Sequence, residues 1–328
     1  MMARLFSPLC LGLLLGTASF VQAGAADLSA DAVNNAEFDL KLAELEGPNP
    51  LVLKAQILLD RANASPGVID GVYGDNVAKA ISAFETVNDL EADGKIDEKV
   101  WSALVDEGAT DALTEYELTE DDLDYDFVES IPSDYAEMAE LDQLGFTSPE
   151  EMLAERFHMD IDLFKQLNQG VDLKAGTKVI VANIEAPGPE GKVARIEADK
   201  ANAHLRAFDE AGKLIAAYPA TIGSEENPSP SGTHNVNTVA EDPVYYYRPE
   251  KNFQQGENTE PLDIPPGQNN PVGSTWIDLS EPTYGIHGTP EPEKIDKTGS
   301  HGCVRLTNWD ARELAQLVKQ GTIVEFVE

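Results

Sequence analysis

Hydrophobic spacing changes its period along this chain, and the change excludes a single uniform layer. Between Asn49 and Glu107 apolar residues recur three and four apart. They are Leu51, Ala55, Leu58 and Leu59, then Val77, Ala80, Ile81, Phe84 and Val87, then Val100, Trp101, Leu104 and Val105. This spacing predicts three helices. Turn-rich links at 66–74 and 93–97 separate them, with Asp75 and Asp97 at expected N-caps. From Val193 onward the pattern is strand-rich, with hairpin turns expected at 209–212 and 229–232. One clear helix follows, Trp309 to Lys319, with Asn308 as its expected cap. A chain of 328 residues should hold two or three domains at ~100 to 200 residues each. The expected fold class is therefore multidomain: a small all-α three-helix module, a short α/β segment, and a mainly β domain with one C-terminal helix.

The expected boundaries follow composition. Residues 1–23 combine Arg4, an apolar run from Leu9 to Leu15 and the small-residue site Val21-Gln22-Ala23, as a Sec-type signal peptide does. The run is broken by Gly12, Gly16 and Thr17 and is shorter than the ~20 residues of a membrane span. Export to the periplasm or cell envelope is expected, with no span in the mature chain. Residues 24–47 read as a tether, 48–108 as the three-helix module, 109–135 as an acidic linker, and 136–184 as helix, turn, helix, strand. Residues 185–191 are a Pro/Gly linker and 192–328 the β-rich domain. The net charge of −36 repels phosphate backbones and anionic headgroups, which disfavours nucleic acid and membrane surfaces as partners.

Signal-peptide cleavage would remove Cys10 and leave Cys303 as the only cysteine. A single exported cysteine has no internal disulfide partner, and this one is flanked by Gly302 and His301, which suits a reactive thiol better than core filling. A thiol of pKa about 8.5 needs a base to supply thiolate at neutral pH. His287 and His301 are the candidates. Two histidines and a cysteine could also ligate zinc, but the spacing fits no common zinc motif. No metal or other cofactor is expected.

Tyr284-Gly285-Ile286-His287-Gly288-Thr289 and Ser300-His301-Gly302-Cys303-Val304-Arg305, with twelve residues between His287 and Ser300, resemble the catalytic signature of the L,D-transpeptidase family of YkuD type. The resemblance extends over residues 192–328 through Thr221-Ile222-Gly223, the run from Pro228 to Thr233, and the Asn269 to Gly273 stretch. It implies Cys303 as nucleophile and His287 as its proton partner, with the Gly288 carbonyl orienting the imidazole. Ser300, His301, Gly302 and Arg305 would support catalysis or bind substrate, Arg305 as a fork for a carboxylate. The implied partners are peptidoglycan stem peptides and glycan, with an outer-membrane protein or lipoprotein as another acyl acceptor. The implied products are 3-3 cross-links or protein attached to the wall.

Two further resemblances concern the N-terminal half. Gly67 to Gly74, Phe84, 93–97 and Trp101 resemble a three-helix peptidoglycan-binding module. Residues 148–183 look like the later part of a LysM domain whose first strand is not evident between Tyr135 and Phe146. The same cysteine and histidine would also serve a peptidoglycan L,D-carboxypeptidase or endopeptidase. An inactive wall-binding protein is the remaining alternative.

Overall fold

A computed structural model describes residues 27–39, 47–107, 111–251 and 253–328. The expected signal peptide, Cys10 within it, and residues 24–26 and 40–46 of the expected tether lie outside the described residues. Among these no helix is long and apolar enough to cross a membrane.

The described part of the tether is docked. Helix α1 (Ala30–Asn34) follows the buried Leu28 and buries Val33. The Asn34 amide donates to the Leu113 carbonyl at 3.0 Å and accepts from the Leu113 N–H at 2.8 Å, so one side chain satisfies a whole peptide unit.

Helices α2 (Pro50–Arg61), α3 (Asp75–Val87) and α4 (Glu98–Glu107) form where the spacing predicts. Asn49 caps α2, with Pro50 in its first turn. Asp97 Oδ1 accepts from the Lys99 and Val100 N–H groups, both at 2.8 Å. Asp75 does not cap: it is the first residue of α3, Gly74 holds the cap position, and only the acidic charge of Asp75 favours the helix end. Val52, Leu59, Ile81, Phe84 and Leu104 close the core among the three helices.

The stretch expected as an acidic linker is folded over its described residues, 111–135. It contains strand β1 (Leu113–Glu117) and helices α5 (Glu120–Leu123) and α6 (Tyr135–Met138). Helices α7 (Pro149–Arg156) and α8 (Ile161–Leu167) follow, and strand β2 (Lys178–Ala182) returns to pair antiparallel with β1. The first strand of this unit thus lies upstream of Tyr135. Acidity does not prevent it, because Glu115 and Glu117 face solvent while Leu113 is buried. Asp122 turns inward, where burial raises its pKa, but the Thr119 N–H, Arg156, the Thr119 hydroxyl and Tyr116 together hold it down at about 2.

The C-terminal half is built on nine strands: β3 (Arg195–Asp199), β4 (His204–Phe208), β5 (Leu214–Pro219), β6 (Thr221–Ile222), β7 (Gly232–Glu241), β10 (Thr275–Leu279), β11 (Gly285–His287), β12 (Val304–Arg305) and β13 (Ile323–Val327). Their order in the sheet is β5-β4-β3-β13-β7-β10-β11-β12-β6. Strands β8 (Tyr245–Tyr247) and β9 (Leu262–Ile264) form a separate hairpin. Helix α9 (Asn308–Leu317) buries Ala311, Leu314 and Leu317 against the sheet. Its cap is Thr307, whose hydroxyl accepts from Asp310 N, and Asn308 is the first helical residue. Residues 209–212 turn a hairpin, with Asp209 N donating to Lys213 O. Residues 229–232 do not, since β6 and β7 are unpaired and the run crosses over between them.

The modules pack on one another. Ser65 N donates to Ala217 O, Ala217 N to Asn63 O, and Ile69 N to His158 O. Lys79 and Asp296 form a partly buried ion pair at 2.6 Å, and Asn308 Nδ2 donates to Glu155 Oε2 at 2.9 Å.

Candidate active site

Strands β11 and β12 run parallel, with His287 opposite Arg305. Cys303 directly precedes β12, so the two-residue period of a strand puts Cys303 and Arg305 on one face, next to His287. All three side chains line one cavity of about 240 Å³, as do Ser300, His301 and Trp276.

His287 is buried and stacks on Trp276, with ring centroids 5.6 Å apart. Its Nδ1 lies 2.6 Å from the Gly288 carbonyl. A carbonyl only accepts, so Nδ1 carries the proton and Nε2 keeps its lone pair. Burial, then the positive charge of Arg305, lowers the imidazole pKa to about 4. Gly288 itself is wedged in place: a Cβ there would come within 2.1 Å of Asn308 Oδ1. That oxygen accepts from Ser274 N at 3.1 Å, so buried Asn308 braces the peptide that orients His287. Asn308 did not stand out in the sequence, where it read only as a helix cap.

Cys303 is partly exposed at the cavity and its thiol donates to Thr283 O at 3.8 Å. Burial of the sulfur pushes its pKa up to about 11, against the Gly285 amide and Arg305, which favour thiolate. Both shifts favour the neutral forms, thiol and imidazole.

Ser300 ties together the loop that precedes β12. Its hydroxyl donates to Cys303 O at 2.6 Å and accepts from Gly223 N at 2.8 Å and Gly302 N at 3.3 Å. Gly302 sits at φ 105°, with Tyr284 Cε1 2.7 Å from where a Cβ would be, so only glycine fits without strain. The exposed His301 stacks face to face on Phe253, with ring centroids 3.7 Å apart. Arg305 makes no hydrogen bond or ion pair among the described residues; its pKa is lowered by burial and supported by the charges of Glu291, Tyr135 and Cys303. His158 and His204 lie elsewhere: His158 against Asp60 and Trp309, His204 buried in β4.

Residues 193–326 match the family model of the L,D-transpeptidase catalytic domain, YkuD. The β-rich half of this chain is thus similar to a YkuD-type L,D-transpeptidase catalytic domain. Residues 48–104 match a second model, described as "Putative peptidoglycan binding domain". Among curated relatives, "Putative L,D-transpeptidase YkuD" of Bacillus licheniformis is 28% identical over 53% of this chain and 90% of its own length. "Probable L,D-transpeptidase YbiS" of Escherichia coli K12 is also 28% identical, over 56% of this chain and 61% of its own length. A solved Enterococcus faecium L,D-transpeptidase aligns at 23% identity over 45% of this chain and 55% of its own, with a TM-score of 0.32.

Proposed function

We propose that this protein is an exported L,D-transpeptidase that joins peptidoglycan stem peptides through a thioester on Cys303. The observation that carries the reading is the shared cavity of Cys303, His287 and Arg305, in which the imidazole is held as a base by the Gly288 carbonyl.

Cys303 Sγ attacks the carbonyl that precedes the terminal D-amino acid of a tetrapeptide stem, and its proton passes to His287 Nε2. The Gly288 carbonyl stabilises the imidazolium formed in that step. The Gly302 N–H is engaged by Ser300, which leaves the N–H groups of His301 and Cys303 to hold the tetrahedral oxyanion. As the C–N bond breaks, His287 returns the proton to the departing amine. An amine of a second stem then attacks the thioester, His287 again carries the proton, and the thiol is regenerated: ping-pong acyl transfer. Arg305 offers its unpaired fork to a donor carboxylate.

Residues 1–23 direct export to the cell envelope in this reading. The three-helix unit holds wall glycan, and the strand-helix-helix-strand order of β1, α7, α8 and β2 supports a LysM-like role for the second unit. Such units raise the local concentration of substrate. The protein-attachment reaction uses the same thioester with a protein amine as acceptor.

The test is mass spectrometry of products from disaccharide tetrapeptides, with Cys303→Ala alongside. A cross-linked dimer lacking one terminal D-alanine and absent with Cys303→Ala is the expected result. Tripeptides alone would replace transpeptidation by carboxypeptidation, and activity surviving in Cys303→Ala would refute the nucleophile.

A further inference from the structure

The cavity is not made by the transpeptidase domain alone. Tyr135, from α6 and about sixty residues before the matched domain begins, lines it together with Cys303 and Arg305. Its ring is held edge-on to Tyr247 at 5.2 Å, Tyr245 at 5.9 Å and Phe253 at 6.3 Å. Phe253 in turn stacks on His301, so Tyr135 is packed into the aromatic wall that borders the nucleophile loop.

The backbone around Tyr135 is fixed with similar care. Gln255 Oε1 accepts from Tyr135 N at 3.2 Å and its Nε2 donates to Ser133 O at 3.0 Å. Asn258 reaches Asp134, the cap of α6. Farther along, Leu144 N donates to Pro266 O and Leu144 O accepts from Asn269 N, both at 2.8 Å. Met138, Leu144, Tyr247 and Ile264 close a small core beneath. Two segments far apart in sequence are thus stitched into one wall, and the phenol is carried at a set position.

The Tyr135 hydroxyl makes no hydrogen bond among the described residues, and neither does the Arg305 guanidinium, which lines the same cavity. A phenol and a guanidinium, both donors, both unengaged and both facing the space beside the nucleophile, suit an anion with two oxygens. We infer that Tyr135 and Arg305 together form a carboxylate subsite for the acyl donor, so that a residue outside the transpeptidase domain sets donor specificity. This rests on the transpeptidase reading above. The mutual electrostatic influence of the two groups is consistent with their proximity: Arg305 counteracts the burial that raises the Tyr135 pKa, and Tyr135 supports the charge of Arg305. Two carboxylates of the donor could fill the subsite, the terminal one on the leaving residue or the one on the diaminopimelate side chain.

The experiment compares the full chain with Tyr135→Phe on three donors: the disaccharide tetrapeptide, the same donor amidated at its terminal carboxylate, and the same donor amidated on the diaminopimelate side chain. The phenyl ring keeps the aromatic packing, and an unchanged near-ultraviolet circular dichroism spectrum would verify it. On the free tetrapeptide Tyr135→Phe should lower kcat/KM about tenfold, as the loss of one hydrogen bond to a charged group does. On one amidated donor the difference between the two proteins should vanish, and that donor identifies the carboxylate bound. Equal losses on all three donors would reduce Tyr135 to a structural role, and unchanged kcat/KM on the free tetrapeptide would remove it from the site; either result overturns the subsite while leaving Cys303-dependent turnover intact. Absence of Cys303-dependent product from the unaltered protein would instead overturn the transpeptidase reading and the subsite with it.

Discussion

His287 and His158 are both enclosed by protein, and their surroundings drive them in opposite directions. His287 faces a carbonyl on one nitrogen and has Arg305 nearby, so burial and positive charge lower its pKa to about 4. His158 lies at the junction of the modules, stacked on Trp309 at 5.1 Å with Nδ1 3.1 Å from Asp60. Burial lowers its pKa too, but the charges of Asp60, Asp310 and Glu313 outweigh it and the net shift is upward. A carbonyl orients an imidazole without charging it, whereas carboxylates charge it. The histidine beside Cys303 is thus left free to take a proton, and the one at the junction is pushed toward its charged form by Asp60.

The largest effect that would break this contrast concerns the reactivity of Cys303. With its pKa pushed up to about 11, against about 8.5 for an ordinary thiol, the thiolate fraction at pH 7 is lower by a factor on the order of 10² to 10³. Alkylation of the unliganded protein by iodoacetamide should therefore be slow at neutral pH and keep rising through pH 10. His287→Ala should leave that profile nearly unchanged while lowering transpeptidation by about 10² to 10⁴, the usual contribution of a general base. A rapid alkylation plateau between pH 5 and 8, lost with His287→Ala, would mean that the two groups rest as a thiolate and imidazolium pair, and the contrast with His158 would fail.

The junction should answer through stability. Asp60→Asn removes one partner of an enclosed charged pair, with a cost of about 3 kcal/mol. Because the folded pKa of His158 is raised, its stabilising contribution is fully present below the unfolded value near 6.5 and is lost as pH rises through the folded value. The denaturant midpoint of Asp60→Asn should fall furthest behind the unaltered protein near pH 6 and recover toward it by pH 9. A deficit independent of pH would show that Asp60 acts there through packing alone.

The same contrast separates what was legible in the sequence from what was not. The motifs around His287 and Cys303 are short, and the fixed residue types within them read directly. The helices from Pro50 to Glu107 were equally open, because their apolar spacing is unambiguous. Strand β1 was hidden, since its five residues bury one apolar side chain fully and carry two glutamates. Asn308 and Tyr135 were hidden for another reason: each acts on partners more than thirty residues away, Asn308 on Ser274 and Glu155, Tyr135 on the wall around Phe253. Local pattern holds no record of such pairs. The described parts of the linker expected at 109–135 and the tether expected at 24–47 fold onto their neighbours through polar contacts such as Asn34 with Leu113, which no hydrophobic period announces.

Asp310 offers the finest test of the junction. It is buried, its Oδ2 has no hydrogen-bond partner, and burial together with the charge of Asp60 pushes its pKa up to about 7, while Thr307, Ser65 and His158 favour the anion. A raised acid contributes stability that is fully present below its unfolded value near 3.8 and is lost as pH rises through about 7. This is opposite in sign to His287, whose depressed value costs stability as pH falls from 6.5 toward 4. Asparagine has the shape of the protonated acid and cannot ionise. Asp310→Asn should therefore match the unaltered protein at pH 5 and exceed it at pH 8 by about 1 kcal/mol, the scale of an unsatisfied buried acceptor. Lower stability of the variant at pH 8, measured by urea unfolding, would mean that the ionised Asp310 is a wanted partner for His158, and that the junction holds its charge on two carboxylates rather than on Asp60 alone.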